Sequence, residues 1–266
     1  MKKTRIAVYV AVGVISFVLK ANATLLFQEA FNYNTGGLGA NVNPGGSTWT
    51  GGNAGLTIAS GNLTYSGLAD QGGNELQIAN GTAGTSYATF LNQTSGQIYY
   101  SFLFNASVVD SANTYFTAMN PGTTLPGGSG DAIDAYYYSS GKIELRANAQ
   151  SATAGTGSAL TLGTTYLIVE GIDLDAKTAS LWINPTPGAA APTATATLSG
   201  ITATAIDNVG FKAQTGTGTF LVDNLLIGTT WADVTPAIAV PKPGTLALLG
   251  GGAVLALAFR RRLKRG

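Results

Sequence analysis

The chain has 266 residues, and its 14 basic and 13 acidic side chains leave a formal charge of +1, with 10% of residues charged against ~25% in an ordinary soluble domain. It contains no cysteine and no histidine, which excludes disulfides, Cys zinc sites, thiol nucleophiles, Ser-His-Asp triads and histidine-ligated metals. Neutral bulk charge gives no support for nucleic-acid binding.

In chain order, residues 1–23 read as an export signal. Lys2, Lys3 and Arg5 form a basic start, residues 6–19 are apolar, and Ala21-Asn22-Ala23 is an A-x-A site for signal peptidase, with Ala21 and Ala23 as the small residues it requires. From residue 24 to 235 the pattern is one β domain. Short aromatic and β-branched runs are separated by Gly, Asn, Asp and Ser, and helical periodicity is nearly absent. The expected strands are 25–31, 61–65, 75–78, 86–91, 97–104, 142–147, 166–174, 178–184, 208–213 and 219–227. In the run 97–104, Ile98, Tyr100, Phe102 and Phe104 share one face, and Tyr99 and Leu103 on the other make it a central strand. Asp175-Ala176-Lys177 is the expected turn of a hairpin. Residues 185–197, rich in Pro, Ala and Thr, are expected to form a long loop.

The last stretch, 236–266, has its own three parts. Pro241-Lys242-Pro243-Gly244 breaks any helix, residues 245–259 carry no charge, and Arg260, Arg261, Arg262, Lys264 and Arg265 follow. At ~1.5 Å per helical residue the apolar stretch reaches about 22 Å, short of the ~30 Å hydrocarbon core, so it reads as a marginal membrane span with a cytoplasmic basic tail.

The order Val240-Pro241-Lys242-Pro243-Gly244, apolar stretch, arginines resembles a PEP-CTERM sorting signal. That resemblance implies an exported protein of a Gram-negative bacterium, processed by the membrane enzyme exosortase, and destined for the envelope, cell surface or extracellular matrix. Lys242 stands where the family carries a glutamate. A second resemblance rests on Phe27-Gln28-Glu29-Ala30-Phe31-Asn32-Tyr33, on Ser180-Leu181-Trp182-Ile183-Asn184-Pro185 and on Val222-Asp223-Asn224-Leu225-Leu226-Ile227. These are similar to concanavalin A-like (laminin G-like) proteins. That implies an all-β, antiparallel jelly-roll β-sandwich with both termini in one sheet, and a role in carbohydrate binding, calcium binding or glycan hydrolysis.

The residues narrow these roles. A glycosidase needs two carboxylates about 5 to 9.5 Å apart, which on one strand means same-face spacing. Glu170 and Asp173 differ by an odd number, as do Asp131 and Asp134, so a non-enzymatic protein is expected. No cofactor is demanded by the pattern. Calcium, which takes oxygen ligands alone, is the ion that Asp131 with Asp134, or Asp173 with Asp175, would suit. The competing use of such aspartates is to cap turns. Asp223 has Lys212 as a candidate ion-pair partner. Tyr136, Tyr138 and Trp182 are candidates for stacking on sugar rings, with Trp49 a further aromatic, whereas Tyr137 must point to the opposite face. The expected partner is thus an exopolysaccharide, in a biofilm or surface matrix.

The near-neutral total hides a partition. All 13 acidic residues lie between Glu29 and Asp233, where the basic residues are only Lys142, Arg146, Lys177 and Lys212, a net of −9 for the body. The ends carry the opposite charge.

Overall fold

The computed structural model describes residues 25–239, apart from 125, 128–130, 149 and 152–158. The expected signal peptide, the PEP-CTERM-like motif and the apolar stretch 245–259 expected to reach the membrane lie outside the described residues. Among the described residues no helix is long and apolar enough to cross a membrane.

The strands are β1 (Leu25–Glu29), β2 (Gly36–Gly37), β3 (Thr50–Gly51), β4 (Leu56–Ala59), β5 (Glu75–Ala79), β6 (Gly84–Gln93), β7 (Gln97–Val108) and β8 (Thr114–Asn120). They continue with β9 (Ile133–Tyr137), β10 (Ile143–Ala147), β11 (Gln150–Ser151), β12 (Tyr166–Asp173), β13 (Thr178–Ile183), β14 (Ala196–Ser199), β15 (Ile206–Ala213) and β16 (Thr219–Gly228). A single turn of helix, α1 (Trp231–Val234), follows. Thr230 starts it through a capping box with Asp233, in which each side chain bonds the other's backbone N–H.

Two antiparallel sheets face each other. One runs β14-β13-β12-β7-β16-β5-β4-β2, with β1 also on β16, and the other runs β11-β10-β9-β8-β15-β6-β3. β1 and β16 are neighbours, so both ends of the body sit in one sheet, as expected. β7 is central, between β12 and β16, and Ile98, Tyr100, Phe102 and Phe104 all point into the space between the sheets. There Phe104 meets Phe116 at 4.9 Å and Phe220 at 5.6 Å, and Tyr137 meets Phe220 at 5.0 Å. Each such ring contributes about 1.5–3 kcal/mol through burial. A second aromatic group, Phe27, Phe31, Trp49 and Phe211, fills the end of the sandwich near β1.

The other face of β7 is also covered. Tyr99, Leu103, Leu167, Val169, Trp182, Leu226 and Trp231 form a satellite core on the outer face of the larger sheet. The loop after β13 roofs it. Trp182 Nε1 donates to the Pro192 carbonyl at 2.9 Å, and Trp231 Nε1 donates to the Ala189 carbonyl at 3.0 Å.

The structure corrects several sequence expectations. Residues 61–65 are not a strand; the strand is β4, just upstream. Leu63 instead turns its backbone N–H onto the Asp223 carboxylate at 2.9 Å. β8 and β9 were not anticipated, nor was β14, which takes up the end of the stretch 185–197. Past Thr235 the chain stays on the body: the Ala69 N–H donates to the Pro236 carbonyl and the Ile238 N–H to the Gly67 carbonyl.

Candidate functional site

On β8, β9 and β10 the alternation is decisive. Phe116, Met119, Ile133, Ala135, Tyr137, Ile143, Leu145 and Ala147 belong to the core between the sheets. Their neighbours along each strand therefore point outward from the smaller sheet: Tyr115, Asp134, Tyr136, Glu144 and Arg146. Register lines them up, with Tyr115 opposite Tyr136, Tyr136 opposite Glu144, and Asp134 opposite Arg146. A shift in register between Tyr115 and Thr117 leaves Phe116 as the extra residue of a β-bulge, and this aims Tyr115 along the row.

The result is a strip of three half-buried tyrosines. The rings of Tyr115 and Tyr136 are 6.1 Å apart, and those of Tyr136 and Tyr138 are 5.1 Å apart. Tyr137 is fully buried in the core, as the sequence required. Two cations lie on the strip. The Arg146 guanidinium carbon is 4.4 Å above the Tyr136 ring. Lys212, from β15, places Nζ 4.5 Å from the centre of the Tyr115 ring and donates to its hydroxyl at 2.6 Å. Each cation–π contact is worth about 0.5–1 kcal/mol at such a partly exposed place. The sequence pointed to Tyr136 and Tyr138; Tyr115, Arg146 and Lys212 join them through strand pairing.

Beside the strip is a buried polar group. The segment after β8 folds across β15: Gly122 bonds Asp207 and Asn208, and the Pro126 ring lies where a side chain at Gly210 would project. Asp131 accepts from Asn120 Nδ2 at 2.9 Å and from the Gly127 N–H at 3.1 Å. Asp134 is fully buried, and neither carboxylate oxygen has a hydrogen-bond partner. Burial pushes its pKa up to about 7, against the pull of Arg146, with Asp131 adding to the rise. Among the described residues no three acidic, histidine or cysteine side chains converge on one point. Calcium would meet two carboxylates here, one of them already accepting N–H donors, against the six to eight oxygens it takes.

The other sequence candidates lie elsewhere. Asp173 accepts from the Asp175 and Ala176 N–H groups at 2.9 and 2.8 Å, and Asp175 accepts from the Gly96 N–H at 3.0 Å. Asp173 thus caps the β12–β13 hairpin, and Asp175 ties that hairpin to the turn before β7. Trp182 is 8% exposed in the satellite core, on the opposite side of the molecule from the tyrosines, so it shares no platform with them. Trp49 is fully buried, its Nε1 donating to Glu29 at 2.8 Å. Asp223 does not pair with Lys212. It is buried in the larger sheet, where it accepts from Leu63 and Asn224 N–H groups, and burial pushes its pKa to about 8. Glu170 points inward between Ile168 and Ile172, fully buried and with both oxygens unpartnered, and burial raises its pKa well above the usual carboxylate range.

No family model matches the chain, and no curated protein does. Solved structures do. A GH131 β-glucanase catalytic domain from Podospora anserina superposes with a TM-score of 0.55 at 9% identity, covering 80% of this chain and 98% of that one. A sialidase superposes with a TM-score of 0.52 at 10% identity, covering 80% of this chain. This chain spans only 19% of the sialidase's length. The body is an antiparallel jelly-roll β-sandwich, the fold it shares with these structures. At such identities the likeness concerns the fold; the tyrosine strip belongs to this chain's own residues.

Proposed function

We propose that this is an exported surface or matrix protein whose β-sandwich binds carbohydrate on the outer face of the smaller sheet, without catalysis. The observation that carries the reading is the half-buried Tyr115–Tyr136–Tyr138 strip, flanked by donors, on the outer face of the smaller sheet. Aromatic rings beside fixed polar groups are the surfaces that sugars use, and Tyr keeps both an apolar body and a polar tip. Solved relatives of the fold include a β-glucanase and a sialidase, which supports a glycan as the ligand class. The PEP-CTERM-like tail, with Pro241, Lys242 and Pro243 at its recognition point, supports export and processing by exosortase.

The test is a glycan array with the purified full chain. Binding that falls at least about fivefold in Tyr136→Ala and Tyr138→Ala, with the melting temperature kept, is the expected result. A wild-type chain that binds no glycan overturns the reading.

One observation favours an enzymatic alternative. Asp134, with its raised pKa, and Glu144 lie diagonally on neighbouring strands of this face, an arrangement that hydrolases exploit. Asp134 is buried beneath the face, so binding is preferred. Reducing-sugar release that disappears in Asp134→Asn would replace it. Glu170, in the core, reaches no surface ligand.

A further inference from the structure

The body carries 13 acidic residues and four basic ones, and the placement of those four is uneven. Arg146 and Lys212 lie on the tyrosine strip. Lys142 begins the same row, two residues before Glu144, and its carbonyl accepts from the Tyr138 N–H at 2.8 Å. Only Lys177 is elsewhere, on the hairpin of the larger sheet, donating to the Ala203 carbonyl. Three of the four cations of an acidic domain thus meet on the face where the tyrosines are.

The cations also change what the rings can offer. A neutral sugar stacks its C–H face on an open aromatic face. Here the Arg146 guanidinium occupies one face of Tyr136, and the Lys212 ammonium lies over Tyr115. A ligand arriving at these two rings meets positive charge within 4.5 Å of each ring centre. Among the described residues Lys212 Nζ has one hydrogen-bond partner, the Tyr115 hydroxyl, and an ammonium has three protons to donate. The acidic groups on the face offset this only in part: Glu144 stands between Lys142 and Arg146, and Asp134 is buried beneath.

Resting on the carbohydrate-binding reading above, we propose that the strip selects anionic sugar units, so that the ligand is an acidic polysaccharide rather than a neutral one. The cations supply charge-assisted hydrogen bonds to carboxylate or sulfate groups, and the tyrosines orient the rings that carry them. Repulsion from the acidic remainder of the body is screened beyond about 8–10 Å at physiological salt, whereas contacts within the strip are shorter than that.

The experiment compares matched polymers by titration calorimetry on the full chain: polygalacturonate against its methyl ester, and dextran sulfate against dextran. The expected result is binding of a charged member about tenfold or more tighter than its neutral match, the better of the two charged polymers naming the anion. Arg146→Gln with Lys212→Gln should remove that preference, and Lys177→Gln should leave it intact. Melting curves on each variant show that the fold is kept. Equal or tighter binding of the neutral members overturns the selectivity while leaving the binding face standing. A preference that survives the double variant also overturns it. Binding of no polymer removes the carbohydrate reading itself, and this inference with it.

Discussion

Asp134→Asn separates a buried carboxyl from a structural ion pair. The side chain is fully buried and both oxygens lack hydrogen-bond partners, although Arg146 lies opposite on the next strand. An unfolded aspartate titrates at 3.8 and the folded one at about 7, so burial outweighs the attraction of the guanidinium. Below pH 4 both states are protonated. Between 4 and 7 the folded chain holds a proton that the unfolded chain has released, so stability falls as pH rises through that window, by about 1.4 kcal/mol per unit. From pH 5 to pH 8 this one group removes about 3 kcal/mol, and above pH 7 its loss is complete. Asn is neutral throughout. Near pH 4 the variant should match the wild type within about 1 kcal/mol, and near pH 8 it should be more stable by about 4 kcal/mol. Asp223, raised in the same direction, acts equally in both proteins and cancels in the comparison, whereas Glu170, which the Asp134 charge helps to raise, relaxes in the variant and adds to its gain at high pH. Equilibrium urea unfolding of both proteins at the two pH values measures the difference. A variant that is less stable at pH 8 than the wild type would refute the reasoning, because it would make the ionised Asp134–Arg146 pair a net stabiliser.

Two further substitutions probe the frame that holds the face. Glu29 accepts from the Phe31 N–H at 2.7 Å, from Trp49 Nε1 at 2.8 Å and from the Tyr33 hydroxyl. Glu29→Ala leaves three donors without an acceptor and should cost about 3 kcal/mol in urea unfolding, with Trp49 fluorescence reporting the end of the sandwich near β1. Trp182→Ala removes a ring packed 5.0 Å from Trp231 and 6.0 Å from Tyr99. It should cost about 3–5 kcal/mol and leave glycan affinity unchanged at temperatures where the variant is folded; a loss of binding without a loss of stability would move the ligand site to the larger sheet.

What could be read in the sequence follows from periodicity. β7 announces its central place because both faces are apolar, and Tyr136-Tyr137-Tyr138 must split between surface and core. The Asp173–Lys177 turn is visible from its composition, with Lys177 at φ +58° in the left-handed region. β8 is hidden for a physical reason: the bulge at Phe116 shifts the alternation by one residue, and burial on both sides erases the contrast between faces. Residues 61–65 mislead in the opposite way. Leu63 and Tyr65 alternate like a strand, but they serve the satellite core, and the Leu63 N–H bonds a carboxylate. The site itself needed the order β10-β9-β8-β15. Arg146 and Lys212 are far apart in sequence, and only that order brings them to the same row of tyrosines.

The two outer faces of the sandwich are not equivalent, and this decides where a ligand can sit. The outer face of the larger sheet is consumed by its own roof: Trp182 and Trp231 are bonded to the loop above them, and Ser101 Oγ donates to the Val234 carbonyl at 2.7 Å. The chain also leaves on that side. Leu68 of the satellite core pairs with Ala237, just before the Pro241-Lys242-Pro243 motif. Among the described residues no such roof lies over Tyr115, Tyr136 and Tyr138 on the smaller sheet, and all three stay half-buried. The last described residues, up to 239, therefore lie on the side of the molecule opposite the tyrosine strip. The −9 body thus gathers three of its four cations on the face remote from its last described residues.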